Sequence, residues 1–442
     1  MRPLSVAVEA LVESGADGGI EQYLIGLLNG LNDLNGREER YAVVESSNAP
    51  AWFYSAPQSF MQPVRIPKEP VTAGERAKRL LGPLRRPLGH LARRMSPRFA
   101  GRGHSEHMIP KSDGFWEQLG VDLVHFTYHF EICSIPTIFT LHDLQHRHLP
   151  QFFSDDHLRL RETLHAAAFH HSKAIVTVSK WVKEDLIREC GIASEKIFVV
   201  PLASPAAAYP RPDQSSAARI ARKLRLPSAY MLYPSLTYAH KNHERLLQAL
   251  ALLRDRDGLK LQLICTGAQR LHWARIQERL LALDLTDQVR FLGFLPVDEF
   301  RVVFARAQYL VFPSLFEGAG IPLLDAFLEG LPVTCSDIPA FREYGGDAPL
   351  FFDPLSVEAI AAALKQMSTD AELRFEVRKR GDVRNGLFNW TQSAKICRAV
   401  YRMVARRNLS QEDEMLLQHA LESRAESGNK TSSPTSSVPL VR

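Results

Sequence analysis

Cysteine is scarce in this sequence. Its 442 residues include five cysteines, which lie far apart and form no C-x-x-C pair. This spacing argues against a zinc ribbon, a thioredoxin-like redox site and a disulfide scaffold of the secreted type. We therefore expect a protein of a reducing, cytosolic compartment.

Long hydrophobic runs are also missing. No stretch of about 20 uncharged apolar residues occurs, so we expect no segment to span a bilayer. The first 19 residues carry one arginine and an apolar run that Glu9 and Glu13 interrupt. This pattern is unlike a secretory signal and is typical of a buried strand. Neither a P-loop nor a G-x-S-x-G motif is present, which disfavours two common classes of enzyme.

The formal net charge of +5 comes from one segment. Residues 76–102 hold nine lysines and arginines and no acidic residue, so the rest of the chain is net negative. Arginines alternate there with leucines, which suits peripheral contact with an anionic membrane, although a solvated loop fits equally well. We predict no nucleic acid partner, because Phe99 is the only aromatic residue of the segment available for stacking.

Length and patterning predict two domains. A chain of 442 residues exceeds what one core usually organises, and its 45% apolar and 23% charged residues match an ordinary globular protein. Strand-like apolar runs alternate with helical patterns in both halves, which is the signature of doubly wound parallel sheets. The predicted fold class is α/β, with two Rossmann-like domains that face a central cleft where a ligand should bind.

The domain boundaries follow changes in composition. A segment rich in alanine, proline and serine interrupts the alternation near the middle of the chain, and the last residues are polar and of low complexity. We predict an acceptor-side N-terminal domain at 1–205 with the basic insert at 76–102, a linker at 206–228, a nucleotide-sugar-binding C-terminal domain at 229–389, a helix crossing back to the first domain at 390–407, and a disordered tail at 408–442.

The most informative motif is PSLFEGAGIPLLDAFLEGLPVTCSD at 313–337. A buried strand ends there, a glycine-containing loop follows, and a helix is predicted to start near Pro322. Backbone N–H groups of residues 318–321 at that helix N-terminus suit an anion such as a diphosphate. The carboxylates of Glu317 and Asp325 suit hydroxyl groups of a sugar and a ribose. A helix-capping Glu317 and a solvated Asp325 explain the spacing equally well.

A second motif, YPSLTYAHKNHERLLQALALL at 233–253, places Lys241 at the matching edge of its predicted sheet. A lysine at that edge can neutralise a phosphate as a point charge. His240 and His243 flank it. Taken alone, this cluster is explained as simply by a solvated helix start.

Together these motifs resemble the family 4 retaining glycosyltransferases of GT-B fold, and in particular bacterial polysaccharide mannosyl- and rhamnosyltransferases. The matching segments are HKNHERLLQA (240–249), VRFLGFLPVDEF (289–300), SLFEGAGIPLLDAFLEGLPVTCS (314–336) and EYGGDAPLFFDP (343–354). Three weaker matches in the first half are DGGIEQYLIGLL (17–28), TIFTLHDL (137–144) and IVTVSKWVKEDL (175–186). The resemblance covers about residues 3–407 apart from the basic insert.

The resemblance implies roles for individual residues. Lys241 would bind the donor diphosphate, Glu317 the hydroxyls of the transferred sugar, and Asp325 the ribose. His142 would lie near the reacting sugar, so that His142, Lys241 and Glu317 form the implied catalytic set. The other implied donor-binding residues are Gly18 and Gly19 near the phosphates, Ser235, His240 and Asn242 around Lys241, Phe294 and Leu295 at the base, and the backbone of Gly318, Ala319, Gly320 and Ile321.

Two departures from the family pattern affect this site. Asp325 stands where the family usually has glutamate, which shortens the reach by roughly 1.5 Å. Ser235 stands where an arginine often precedes the lysine by six residues. The diphosphate charge would then rest on Lys241 and the helix N-terminus, with assistance from His240.

The implied activity is transfer of a hexose or deoxyhexose, such as mannose, from a nucleotide-diphosphate donor to a glycan or lipid-linked acceptor. We expect retention of configuration, no cofactor and no metal, and a cytoplasmic location, peripheral at the inner face of the cell membrane. Metal binding at Asp255 and Asp257, or at His142 and His146, is disfavoured because a turn and a polar cleft loop explain these residues more simply. The alternatives are a sugar-nucleotide epimerase or hydrolase of the same fold, and a non-catalytic sugar-nucleotide-binding partner.

Overall fold

The structure of the protein is a computed structural model that describes residues 2–12, 18–34, 38–46, 60–66 and 109–422. The basic insert at 76–102 lies outside the described residues, as does the chain after residue 422. The membrane contact predicted for the insert therefore stays a prediction from the sequence.

The first domain is built on a parallel sheet. In the described residues this sheet has seven strands in the order β3-β2-β1-β4-β5-β6-β7. The strands are β1 (Leu4–Ala10), β2 (Glu39–Ser46), β3 (Met61–Ile66), β4 (Leu123–Phe126), β5 (Thr137–Leu141), β6 (Ala174–Thr177) and β7 (Ile197–Val199). The strands β4, β5 and β6 are buried along their whole length, as expected for a parallel sheet covered on both faces.

The second domain repeats this architecture. Its described sheet has six parallel strands in the order β10-β9-β8-β11-β12-β13. The strands are β8 (Met231–Pro234), β9 (Leu263–Thr266), β10 (Val289–Phe291), β11 (Tyr309–Phe312), β12 (Val333–Ser336) and β13 (Leu350–Phe352). The two sheets confirm the predicted fold class of two Rossmann-like domains.

Helices connect the strands on both faces of each sheet. In the first domain they are α1 (Gly19–Asp33), α2 (Phe115–Gln118), α3 (Gln145–His148), α4 (Asp155–His171) and α5 (Lys180–Cys190). The remaining helices are α6 (Gln214–Lys223), α7 (His243–Asp257), α8 (Trp273–Ala282), α9 (Val297–Arg306), α10 (Ile321–Leu328), α11 (Pro339–Gly345), α12 (Val357–Thr369), α13 (Ala371–Asn385), α14 (Trp390–Val404) and α15 (Gln411–Leu421). None of the described helices is both long and apolar enough to cross a membrane.

The order of the strands determines where the cleft lies. The first sheet changes direction between β1 and β4, and the second between β8 and β11. Loops that follow strands on the two sides of such a switch point diverge and leave a crevice at the carboxyl edge of the sheet. The loops after β1, β5, β8 and β11 all line one cleft between the two domains.

The last long helix returns to the first domain and packs against α1. The indole of Trp390 at the start of α14 lies against Gly26, and its backbone carbonyl lies against Gly30, so that any Cβ at either glycine would overlap it. Farther along α14, the Tyr401 hydroxyl lies 2.8 Å from Nδ1 of the buried His125. These contacts attach the end of the second domain to the core of the first.

Strand β3 and helix α6 lie in segments where the sequence pattern did not indicate an element. Within the described residues, strand β3 pairs with β2 at the edge of the sheet, and Gln62 and Pro63 are both exposed. Proline is tolerated at an edge because no ladder hydrogen bond is required there. The predicted linker at 206–228 contains α6, which packs on α9 with Lys223 Nζ 2.5 Å from Glu299 Oε1. The connection is therefore not irregular throughout.

The prediction of a disordered tail from residue 408 is wrong for its first part, because α15 is ordered on the first domain. Ser410 and Asp413 form a capping box, and the buried Asp413 accepts a hydrogen bond from Arg402 at 2.9 Å. The Lys183 ammonium donates to the Leu421 carbonyl at 2.7 Å. A helix held by buried ion pairs leaves a weak apolar pattern, which explains the error.

The contact between α1 and α14 generates a prediction about stability. Gly26→Ala should lower the free energy of unfolding by about 1–3 kcal/mol, because the new methyl group displaces the Trp390 ring. The same substitution made in a Trp390→Ala background should be close to neutral, since the overlapping ring is gone. Urea unfolding of the four proteins measures this difference. Equal losses in both backgrounds would contradict the packing described here.

Candidate functional site

The cleft between the two domains has a volume of about 1290 Å³. Nearly all of the residues that the sequence analysis selected line it. These are Gly18, Gly19, His142, Ser235, His240, Lys241, Phe294, Leu295, Glu317, Gly318, Ala319, Gly320, Ile321 and Asp325. Segments that are more than a hundred residues apart in the sequence therefore form one site.

An ion pair between Lys241 and Glu317 lies in the second-domain wall of the cleft. Lys241 Nζ is 2.5 Å from Glu317 Oε1, and both side chains are largely buried. Lys241 ends a single 3-10 turn after β8, where the Tyr233 hydroxyl donates to its carbonyl at 2.6 Å. The Leu315 N–H donates to the His240 carbonyl at 2.8 Å and joins this turn to the loop after β11. An anion that binds Lys241 must therefore compete with Glu317.

Asn242 does not reach the cleft. Its side-chain amide donates to the carbonyls of Pro313 and Pro354, at 2.9 and 2.8 Å, and is buried beneath the site. The residue also has a left-handed backbone, with φ of 61°, which starts α7 directly after Lys241. The geometry thus contradicts the expected donor contact and gives Asn242 a positioning role.

The loop that carries Glu317 is held by the first domain. The backbone at Gly318 approaches the His142 carbonyl so closely that a Cβ there would overlap it, which explains the need for glycine. The Ser179 hydroxyl, which caps the N-terminus of α5, donates to the Gly318 carbonyl at 2.6 Å. Residue 318 of the second domain is thus fixed by two elements of the first.

Aromatic packing fixes the same loop on the other side of Glu317. The Phe316 ring stacks on His148 with centroids 4.9 Å apart, and Trp181 lies 6.3 Å away. His148 Nε2 is 2.8 Å from both carboxylate oxygens of the buried Asp185. Neither the spacing of these side chains nor a local motif shows in the sequence that they meet Phe316.

His142 lies in the first-domain wall and is positioned by its own domain. Its Nε2 is 2.8 Å from the Thr127 carbonyl, and its ring meets Tyr23 edge-on with centroids 5.0 Å apart. Burial lowers the pKa of His142, so the ring is neutral near pH 7. Because a carbonyl only accepts, the proton is on Nε2, and Nδ1 is then a hydrogen-bond acceptor.

Two backbone features of the cleft suit an anionic ligand. The segment 318–321 lines the cleft where α10 begins, and the positive end of the helix dipole faces this edge. Across the cleft, Gly18 has a φ of 51° and packs on Leu236 of the second domain. A Cβ at Gly19 would meet no atom within 4 Å, which leaves room for a ligand at the start of α1.

Asp325 is fixed by the segment that connects the domains. Its Oδ1 accepts a hydrogen bond from the Ser204 hydroxyl at 2.5 Å, and the residue is 6% exposed. Burial raises the pKa of Asp325 to about 7, and the negative charge of Glu329 contributes in the same direction. This carboxyl therefore changes charge near neutral pH, which its position in the sequence did not indicate.

The far end of the cleft is more apolar. Phe294 is 55% exposed and Leu295 is buried beside it, in the loop between β10 and α9. Arg301 of α9 is buried, with its guanidinium 2.5 Å from Glu329 and hydrogen-bonded to the Ala206 carbonyl at 3.0 Å. Phe294, Leu295, Arg301 and Asp325 all line the cleft.

The residues considered as metal ligands have other partners. Asp255 pairs with Arg254 at 2.7 Å and Asp257 with Arg256 at 2.9 Å, at the exposed end of α7. His146 Nε2 is 2.9 Å from Glu162, whereas His142 faces Thr127. The two histidines therefore do not converge on one point.

Comparison with known proteins identifies two family models along the chain. The model described as Glycosyltransferase Family 4 matches residues 18–203, and the model described as Glycosyl transferases group 1 matches residues 217–384. The boundary between the two models falls where the chain passes from the first domain to the second.

Several curated relatives are similar in sequence. The chain is 28% identical over 275 residues to O-antigen chain mannosyltransferase B of Escherichia coli, a match that covers 61% of this chain and 72% of the relative. It is 28% identical over 239 residues to O-antigen chain mannosyltransferase RfbU of Salmonella typhimurium, covering 53% of this chain and 62% of the relative. The chain thus spans about two thirds of the length of these two relatives.

Solved structures share the fold over nearly the whole chain. Sucrose-phosphate synthase from Thermosynechococcus elongatus superposes with a TM-score of 0.64 at 17% identity, covering 91% of this chain and 99% of the other. WaaG, a glycosyltransferase involved in lipopolysaccharide biosynthesis, superposes with a TM-score of 0.61 at 15% identity, covering 90% and 99%.

A third such structure is Anabaena HepE in complex with UDP and glucose, with a TM-score of 0.62 at 15% identity over 90% of this chain and all of the other. Similarity at this level of identity concerns the fold alone. The two family models together span most of the chain and the GT-B architecture is shared with these structures, so the protein belongs to the family 4 glycosyltransferases of GT-B fold.

Proposed function

We propose that this glycosyltransferase moves mannose from a nucleotide-diphosphate donor to a glycan or lipid-linked acceptor in polysaccharide biosynthesis, with retention of configuration. The observation that carries the proposal is the pairing of Lys241 with Glu317 beside the start of α10. This arrangement offers a cation and a helix N-terminus to a diphosphate and a carboxylate to sugar hydroxyls. The names of the similar mannosyltransferases support mannose as the transferred sugar.

The residues of the cleft take separate roles in this reaction. Lys241 and the N-terminus of α10 stabilise the negative charge that develops on the leaving diphosphate. Glu317, released from Lys241 by the incoming diphosphate, accepts hydrogen bonds from hydroxyls of the mannose. His142 presents Nδ1 as an acceptor to the same sugar from the opposite domain. These contacts hold the anomeric carbon in place for attack.

The proposed chemical step is a front-face displacement. A bond forms between the acceptor oxygen and the anomeric carbon, while the bond from that carbon to the diphosphate oxygen breaks. The proton of the acceptor hydroxyl passes to the departing diphosphate. Both bonds lie on the same face of the sugar, so the configuration is retained.

Two further features belong to the same proposal. Charge stabilisation by Lys241 and α10 means that the reaction needs neither a metal ion nor a cofactor. The protein works at the cytoplasmic face of the membrane, where the basic insert at 76–102 contacts anionic lipid. Co-sedimentation with acidic vesicles, which deletion of the insert should abolish, measures that contact.

A transfer assay tests the proposed function. The full-length protein, a mannosylated saccharide acceptor and excess EDTA are incubated with GDP-mannose or with uridine and thymidine sugar nucleotides. We expect mannose transfer from GDP-mannose, with an α linkage by NMR as in the donor. Donor hydrolysis or epimerisation without transfer would favour the alternative enzymes, and activity that only magnesium or manganese restores would contradict metal independence.

The ion pair between Lys241 and Glu317 predicts that diphosphate affinity and kcat respond differently to mutation. Glu317→Gln should leave the affinity for the nucleoside diphosphate unchanged or improve it, because Lys241 loses its competing carboxylate. The same variant should lower kcat by about 100-fold, since the mannose is no longer oriented. Lys241→Ala should weaken nucleoside diphosphate binding as well as kcat/KM. Calorimetry and initial rates measure both quantities, and loss of diphosphate affinity in Glu317→Gln would contradict the assignment.

Asp325 generates a prediction about pH. With a pKa of about 7, its carboxyl is mostly protonated at pH 6 and mostly ionised at pH 8. An ionised carboxylate accepts stronger hydrogen bonds from the ribose hydroxyls, so the affinity for the nucleotide sugar should rise across this range. Asp325→Asn should bind with little pH dependence. Calorimetric titration without acceptor is the measurement, and parallel pH profiles for the two proteins would exclude Asp325 as the responsible group.

A further inference from the structure

A third cation lines the cleft in addition to Lys241 and Arg301. Arg161 lies on α4 of the first domain, and its guanidinium is 5.2 Å from the centroid of the Phe153 ring. An arginine held against an aromatic ring keeps its N–H groups available for other partners. The sequence analysis did not select this residue, because a single arginine in a polar helix carries no local signal.

The charge balance distinguishes Arg161 from the other two cations. Lys241 is 2.5 Å from Glu317, and Arg301 is 2.5 Å from Glu329. No carboxylate of the described residues forms an ion pair with Arg161. A positive charge without an acidic partner, in the wall of a cleft, attracts an anionic ligand.

Arg161, His240 and Lys241 line the same cleft. Burial lowers the pKa of His240 well below its ordinary value, and the positive charges of Lys241 and Arg161 lower it further. His240 follows directly before Lys241 in the wall of the second domain. Arg161, which comes from the first domain, lines the same cleft as His240 and Lys241, which come from the second.

The negative charge of a diphosphate is consistent with a second cation in the cleft. The group carries two negative charges in a nucleotide sugar, and more once it has left. Lys241 alone, with Glu317 beside it, provides a pair with no net charge. Ser235, which also lines this part of the cleft, adds no positive charge. A second cation would balance more of this charge than Lys241 and the N-terminus of α10 alone, and within the described residues Arg161 lines the cleft and can provide it.

We propose that Arg161 binds a substrate phosphate, namely the diphosphate of the nucleotide donor, from the side of the cleft opposite Lys241. This inference rests on the proposed function, since that function supplies the diphosphate. Through Arg161 the acceptor-side domain contacts the donor directly. Closure of the two domains then completes the phosphate site as well as the position of Glu317.

Calorimetric titration with nucleoside diphosphates alone tests the proposal. The ligand is whichever of GDP, UDP and dTDP the wild type binds most tightly. Arg161→Ala should weaken this binding by about tenfold or more, as for loss of a hydrogen bond to a charged group. Arg161→Lys should restore part of it, and the corresponding nucleoside without phosphate should bind all variants equally.

Arg159→Ala is the matched control. Arg159 lies on the same helix and carries the same charge, but it is exposed, pairs with Asp156 at 2.7 Å and does not line the cleft. This variant should bind the diphosphate like the wild type. Thermal midpoints of all variants show whether an effect on binding arises from loss of the fold.

A second arm distinguishes the source of the phosphate. In one outcome, Arg161→Ala keeps the diphosphate affinity of the wild type but raises KM for a lipid-diphosphate-linked acceptor, while KM for a free saccharide acceptor is unchanged. This result would overturn the donor assignment and show that the phosphate belongs to the acceptor. If Arg161→Ala changes neither the diphosphate affinity nor the KM for the lipid-linked acceptor, the whole inference is overturned. It is also overturned if the wild type binds no nucleoside diphosphate. Weakened diphosphate binding in a protein that transfers no sugar supports Arg161 while contradicting the proposed function.

Discussion

The approach of the Gly318 backbone to the His142 carbonyl joins the two halves of this molecule at the point where its chemistry is expected. The second domain supplies the loop after β11, and the first supplies the strand end and the capping serine that hold it. Nearby, the Glu343 carboxylate accepts hydrogen bonds from the N–H groups of Lys180 and Trp181, at 2.8 and 2.9 Å. A carboxylate thus satisfies the N-terminus of a helix in the other domain.

This docking has a consequence for Glu317. Its neighbours on both sides, Phe316 and Gly318, are fixed by first-domain groups, whereas its own carboxylate pairs with Lys241 of the second. Separation of the domains would release the loop on both sides of the carboxylate. The position of Glu317 is therefore a property of the closed pair of domains, and neither domain alone determines it. Such assembly restricts this arrangement of Glu317 to the state in which the two domains are in contact.

The sequence predicted most accurately those strands whose residues are buried along their whole length. Strands β4 and β11 coincide with short apolar runs of the sequence, because fully buried parallel strands have this pattern. The residues of the two long motifs also reach the cleft, since the carboxyl ends of parallel strands share one edge. Edge strand β3 and helix α15 were missed, because an exposed face and buried ion pairs leave little apolar pattern.

The sequence could not show which side chains from different elements contact each other. Arg161 and Ser204 have no motif, and only the folded chain places Arg161 in the wall of the cleft and Ser204 beside Asp325. Asp325 illustrates the effect most clearly. Its side chain is one methylene shorter than the usual glutamate. The Ser204 hydroxyl, in the segment that connects the domains, donates a hydrogen bond to Asp325 Oδ1 at 2.5 Å. The carboxyl for which we propose the ribose contact is thus tied to the segment where the chain crosses between the domains, so a shift of that segment would also move the carboxyl.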